Sequence, residues 1–190
     1  MKDEIRAYVG RLQNTIGLLS VDKMDEVIQI LQTARLNGRQ LFIMGNGGSA
    51  STATHMVCDI GKNTQAVGWP PFKVIGLSDN MAALTAYAND EGYASVFARQ
   101  MLPFIQADDI VIGISTSGNS PNVLEAIKLA NQEGAFTIGF TGFDGGQLRG
   151  LVDQELHVPS DCIEHVEDIH LMFEHLIVFM LKQLAHTAVP

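Results

Sequence analysis

Cysteine is scarce: Cys58 and Cys162 are the two in 190 residues, too few for a disulfide framework and suited to a reducing compartment. Basic side chains are also few. Twelve Lys and Arg against 21 Asp and Glu leave a formal charge of −9, which disfavours a general nucleic-acid binder. No run approaches the ~20 uninterrupted apolar residues of a membrane span. The opening segment MKDEIRAYVGRLQ mixes both signs of charge and has no apolar signal-peptide centre, so a cytoplasmic protein is expected. Internal repeats, low-complexity tracts and linker-like breaks are absent. Residues 1–190 therefore read as one domain, with 1–38 as helices for packing or association and 39–190 as the core.

What is present suits a packed α/β core. Hydrophobic residues make up 46% of the chain, which excludes wholesale disorder. Ile5, Val9, Leu12, Ile16 and Leu19 recur at helical spacing, and so do Val27, Ile28, Leu31 and Ala34, predicting an N-terminal helical hairpin. Asp22 is a candidate N-cap for the second helix and Gly38 its stop. Beyond Gly38, short apolar runs at 41–44, 74–77, 110–114 and 136–140, with a weaker one at 155–158, read as buried strands. Helical segments are expected near 49–60, 80–88, 121–132 and 163–185. This alternation predicts a three-layer α/β/α sandwich around a five-stranded parallel sheet. In such folds ligands bind beyond the carboxyl ends of the strands.

Two loops at that edge stand out. The first, Gly45-Asn46-Gly47-Gly48-Ser49-Ala50, links a strand to a helix, so its backbone N–H groups can hold an anion. It lacks the Lys of a Walker A loop. It also fits the loose dinucleotide pattern G-x-G-x-x-A, but the acidic residue that pattern wants has only Asp79 as candidate, 29 residues beyond Ala50. The second loop is Ser115-Thr116-Ser117-Gly118-Asn119-Ser120-Pro121, with Ser120 placed as N-cap and Pro121 at the first helical position. One such loop reads equally as an ordinary capping turn. Two at one sheet edge favour a phosphate site without a nucleotide cofactor.

Ionisable side chains gather on two helices. His55 and Asp59, four apart, share a face and suit a metal, a proton relay or a surface hydrogen bond. Cys58, between them, reads as core. The last helix carries Glu164, His165, Glu167, Asp168, His170, Glu174 and His175 without a short zinc signature. Asp168 and His175 share one face, and Glu167, His170 and Glu174 another; periodicity does not say which faces inward.

The segments GNGGSASTATH, NDEGYASVFARQ, STSGNSPNVLEAI and VEDIHLMFEH together resemble the phosphoheptose isomerase family, enzymes with a sugar isomerase (SIS) domain of flavodoxin-like type. The resemblance spans nearly the whole chain. It implies isomerisation of sedoheptulose 7-phosphate to D-glycero-D-manno-heptose 7-phosphate through an enediol, in a homotetramer. Phosphate and sugar contacts would fall to Asn46, Gly47, Gly48, Ser49, Asp90, Ser115, Thr116, Ser117 and Ser120. Zinc, where members hold it, would sit on His55, Asp59, Glu167 and His175. Asp59, His175 and Glu167 are the implied catalytic groups. Two positions depart from the family pattern: Asp59 stands for a Glu and Glu167 for a Gln. Asp59 is shorter by one methylene, ~1.5 Å, and Glu167 adds a charge or takes over the base role. Alternatives are an isomerase for another phosphosugar, or a non-catalytic sugar-phosphate sensor such as the family's replication-initiator-binding relative.

Overall fold

The computed structural model describes residues 1–187, with side chains through residue 185; the side chain of His186 lies outside them. Two helices, α1 (Lys2–Ile16) and α2 (Val21–Leu36), precede β1 (Gln40–Gly45), α3 (Gly48–Asn63) and β2 (Lys73–Gly76). Then follow α4 (Met81–Glu91), α5 (Val96–Met101), β3 (Ile110–Ser115), α6 (Pro121–Gln132), β4 (Phe136–Thr141), β5 (Gln154–His157) and α7 (Ile163–Thr187).

All five strands are parallel, in the order β2-β1-β3-β4-β5. The alternation of side chains along a strand divides the core in two. Leu41 and Ile43 of β1 face a cluster built with α2, α3 and α7. Phe42 and Met44 face another built with α5 and α6. The strand order reverses at β1/β3, so the loops after those two strands diverge to form the crevice where doubly wound sheets bind ligands.

The helical hairpin divides its labour. α2 buries Met24, Val27, Ile28 and Leu31, while α1 leaves Ile5, Val9 and Ile16 exposed. α1 rests on α7 through Tyr8, which donates to Asp168 Oδ2 at 3.1 Å and meets the His165 ring edge to face. The N-cap of α2 is Ser20, whose hydroxyl accepts from Lys23 N–H, and not Asp22, which already lies inside the helix. Cys58 is exposed, contrary to its expected place in the core, because the buried stripe of α3 runs through Thr52, Ala53, Met56 and Ile60.

Arg35 is unanticipated by the pattern. Only 1% exposed, its guanidinium lies between the rings of Trp69 and Phe72, 5.3 and 5.0 Å from their centroids. Its Nε donates to the Pro70 carbonyl at 2.6 Å and Nη2 to the Thr64 carbonyl at 3.0 Å. One buried cation thus fastens the segment between α3 and β2.

Candidate active site

The first loop turns directly from β1 into α3. Gly45 makes this possible: a Cβ there would stand 2.7 Å from the Ser49 backbone. Gly47 has a φ of +54°, and Ser49 is buried at the start of the helix. Asn46 bridges to the other side of the crevice. Its amide exchanges two 2.8 Å hydrogen bonds with Asn122 at the start of α6, and Tyr93 OH donates to Asn46 Oδ1 at 2.8 Å.

The second loop is strapped from behind. Gly142 N–H donates to the Thr116 carbonyl, and Leu148 N–H to the Gly118 carbonyl, each at 2.9 Å. Gly118 (φ +64°) lies so close to Gly145 that a Cβ would fall 1.9 Å from the Gly145 carbonyl oxygen. In front, Ser115 Oγ and Ser120 Oγ are 3.1 Å apart, and Ser117 Oγ accepts from Asn119 N–H. Ser120 is the N-cap residue of α6 and Pro121 its first residue, as expected, but the Ser120 hydroxyl makes no capping bond. These hydroxyls, at the amino end of α6, form a donor-rich cradle suited to an anion.

The ionisable cluster lies between α3 and α7. Asp59 Oδ2 is 3.6 Å from His55 Nε2, and the rings of His55 and His175 meet edge to face with centroids 5.0 Å apart. Glu174 Oε2 is 3.3 Å from His175 Nε2. One ligand atom from each of His55, Asp59, Glu174 and His175 can be chosen so that all lie within 4.8 Å of one another. Glu174 is 0% exposed, and neither of its carboxylate oxygens accepts a hydrogen bond. Burial, and secondarily the charge of Asp59, raise its pKa to about 7. Two imidazoles and two carboxylates are a donor set that zinc accepts, and a cation would satisfy the orphaned oxygens. Zinc–ligand bonds of about 2.1 Å require the group to tighten by about an ångström.

The two helices run side by side in the same sense. Glu167 faces Gly48, with its Oε1 3.0 Å from where a Cβ on Gly48 would stand. Seven residues further along each helix, Glu174 reaches His55. Loop and cluster are therefore two turns, ~10 Å, apart along the packed α3/α7 pair.

A family model for the SIS domain matches residues 4–142. The probable phosphoheptose isomerase of Thermoplasma acidophilum is 39% identical over 165 residues, covering 87% of this chain and 90% of that protein. The phosphoheptose isomerase of Pelobacter propionicus is 40% identical over 188 residues, covering 96% and 98%. The chain belongs to the phosphoheptose isomerase family. The phosphoheptose isomerase structure from Neisseria gonorrhoeae superposes with a TM-score of 0.87 at 28% identity, covering 96% of this chain and 98% of that one.

Of the residues implied by the family pattern, Ser49, Asn46, Gly47 and Gly48 stand together at the first loop, and Ser115, Thr116, Ser117 and Ser120 at the second. Asp90 is exposed near the end of α4, bonded to Asn89, with no described contact to either loop. Asp79, the residue the dinucleotide reading needed, accepts from Thr54 Oγ1 at 2.5 Å and is folded back over Gly76. His55, Asp59 and His175 meet as expected, but the fourth group in their cluster is Glu174, with Glu167 two turns away at the first loop. Glu167, His170 and Glu174 do share one helix face, and it is the inward one.

Among the described residues the other three histidines have structural partners. His165 is buried under Tyr8. His170 is buried against Phe140 and Phe173, its Nε2 3.1 Å from the Thr141 carbonyl, and burial lowers its pKa to about 4. His157 Nδ1 is 3.0 Å from Thr141 Oγ1.

Proposed function

We propose that this protein is an aldose–ketose isomerase that converts sedoheptulose 7-phosphate to D-glycero-D-manno-heptose 7-phosphate. The observation that carries the reading is the packing of α7 on α3, which sets the first loop and the acid/base cluster two helical turns apart. That ~10 Å separation is about the reach of an extended seven-carbon chain from carbonyl end to phosphate, with C–C bonds of about 1.5 Å. A triose phosphate falls well short of that span.

The phosphate rests on Ser49, Ser115, Thr116, Ser117 and Ser120 and on the amino ends of α3 and α6. In a chain of net charge −9, these local dipoles supply the attraction that bulk charge does not. Asn46, Gly47 and Gly48 line the sugar, and Asp90, assigned to the sugar by the family pattern, would have to reach it from the end of α4. Binding energy at the phosphate fixes the register of C1 and C2 at the cluster.

Isomerisation moves a proton between C1 and C2 through an enediol. Asp59 serves as the carbon base and His175 moves the proton at the oxygen edge. Both side chains retain solvent access, 19% for Asp59 and 52% for His175, so a substrate can reach them. His55 orients Asp59 through their 3.6 Å contact. A divalent cation such as zinc, held by His55, Asp59 and His175, would supply Lewis-acid polarisation of the carbonyl. A carboxylate has two oxygens, so Asp59 can hold an ion and still accept a proton. Glu167, placed at the first loop, stands two turns from the cluster, too far to take over the base role at C1 and C2.

The exposed apolar side chains of α1, with Leu176 and Phe179 on α7, support self-association, in keeping with a homotetramer built through residues 1–38. Residues 39–190 carry the chemistry. Among the described residues no helix is long and apolar enough to cross a membrane, and a cytoplasmic location agrees with a phosphosugar substrate.

The test is aldose formation from sedoheptulose 7-phosphate, compared with unphosphorylated sedoheptulose and with five- and six-carbon ketose phosphates. The reading expects the seven-carbon phosphate to be turned over best. Tight binding without turnover of any of them identifies a sensor instead.

A further inference from the structure

Next to the hydroxyl loop lies a polar network that isomerisation leaves unused. Thr141 closes β4, and Glu155 and His157 belong to β5, so the three gather towards the carboxyl edge of the sheet, where folds of this kind take ligands. Thr141 is fully buried and Glu155 nearly so. Thr141 Oγ1 lies 2.5 Å from Glu155 Oε1, and the Glu155 carboxylate, paired with Arg149, only accepts; the hydroxyl proton therefore goes to Glu155. His157 Nδ1, 3.0 Å from the same Oγ1, must then donate to it. That fixes the tautomer and leaves Nε2 as an acceptor with no described hydrogen bond.

The same network aims a cation. Arg149 Nε donates to both Glu155 oxygens, at 3.1 and 3.0 Å, and its guanidinium lies against Gly145, where a Cβ would stand 2.7 Å from Nε. The terminal nitrogens of Arg149 have no described partner, so the pairing orients the guanidinium without exhausting its donors. Arg149 and His157 line a cavity of about 250 Å³, and Lys23 faces it from the first turn of α2. A cation there opposes the helix dipole, and Lys23 forms no ion pair among the described residues. Burial, then the charge of Arg149 and more weakly that of Lys23, hold the His157 pKa below the ordinary value, with Glu155 and Asp144 opposing. The imidazole is therefore neutral at pH 7, and an arriving anion favours its protonation.

We propose that this cavity is a second anion site, in which Lys23, Arg149 and His157 hold a phosphate group, free or carried by a small molecule, separately from the hydroxyl cradle. A carboxylate, with two oxygens, would serve two of the three donors, whereas a phosphate has an oxygen for each. The donors are held in place before the ligand arrives, because Glu155 and Thr141 fix Arg149 and His157 from behind. The site shares the 145–149 turn with the strap of the hydroxyl loop, since the Arg149 N–H donates to the Gly145 carbonyl at 3.2 Å. Its test must therefore separate the two sites, and it does not depend on the isomerase reading.

Ring-labelled histidine in the full-length protein gives a local readout by NMR at pH 7. The titrants are inorganic phosphate and glycerol 3-phosphate, with ionic strength held constant by sodium chloride. His157→Gln identifies the His157 signal by its loss. That signal should move saturably towards its imidazolium position. A response to inorganic phosphate alone makes the free ion the ligand; a response to both extends the site to phosphate monoesters. Lys23→Gln, at an exposed position, should weaken the apparent affinity at least about threefold, while Ser120→Ala, which alters the cradle, leaves it within about twofold. A His157 signal that stays still, or that moves equally when sodium chloride replaces the phosphate, overturns the proposal. Unchanged affinity in Lys23→Gln overturns it too, as does a response abolished by Ser120→Ala, which would mean a signal relayed from the cradle through the shared turn.

Discussion

His55 on α3 and His175 on α7 meet edge to face with their ring centroids 5.0 Å apart, and this contact brings the ionisable side chains of two helices to one place. Neither ring is sealed from solvent. The imidazoles can therefore meet a substrate while the helices behind them stay packed.

If Asp59 and His175 move protons as assigned, Asp59→Asn and His175→Ala should each lower kcat by at least about a hundredfold. Both sites are partly exposed, so circular dichroism and gel-filtration behaviour should be unchanged. Steady-state kinetics on the two variants checks this; kcat within a few-fold of wild type would remove the role from that residue.

Gly118 is held at φ +64° against the Gly145 carbonyl, so Gly118→Ala forces the hydroxyl loop off its strap. A residue held in that region costs on the order of 1–3 kcal/mol before the clash is counted. The expected result is a rise in KM for the sugar phosphate of about tenfold or more. Unaltered KM would show that the Ser115–Ser120 loop does not position the phosphate.

Arg35 offers a stability test remote from the site. Arg35→Met leaves the Pro70 and Thr64 carbonyls without their donor and loosens the stack with Trp69 and Phe72. A cost of about 2–4 kcal/mol is expected in urea unfolding, and Arg35→Lys should recover little of it, because an ammonium does not reproduce the planar fork. A loss below about 1 kcal/mol would contradict the clamp.

His170 sets an acid limb. Its folded pKa is lowered to about 4 by burial, whereas an unfolded His titrates near 6.5. Below pH ~6.5 the unfolded chain binds a proton that the folded chain does not, so stability falls as pH drops from ~6.5 towards 4 and is full above that window. The shift corresponds to about 3 kcal/mol. Unfolding free energies of wild type and His170→Gln across pH 4–7 should converge at the acid end; parallel curves would exclude His170 as the source.

Much of this arrangement is visible in the amino-acid sequence, for identifiable reasons. Buried parallel strands are continuous apolar runs, so β1, β3 and β4 are found within a residue or so of their ends. Pro121 after Ser120 marks the start of α6, because a missing N–H is harmless at a helix's first position. Helix α5 escapes, since six residues are too few to show a period, though Val96, Phe97 and Met101 are all buried. Ser20 loses to Asp22 as a candidate cap because both are good capping residues two positions apart. Glu174 is the instructive case. It shares a helical face with Glu167 and His170, and only the packing of α7 on α3 distinguishes the acid at the loop from the acid in the cluster. Arg35 sits four residues after Leu31 on the buried face of α2, where nothing local signals that Trp69 and Phe72 will enclose it.

The proposed chemistry is proton transfer at C1 and C2 of a heptulose phosphate beside the cluster of α3 and α7. The most direct measurement incubates the protein with sedoheptulose 7-phosphate in D₂O and follows deuterium at C1 and C2, and aldose formation, by NMR, with and without a chelator. Deuterium uptake with aldose product, suppressed by the chelator and restored by zinc, is the predicted result. Saturable binding of the sugar phosphate with no deuterium at either carbon, zinc present, would contradict it.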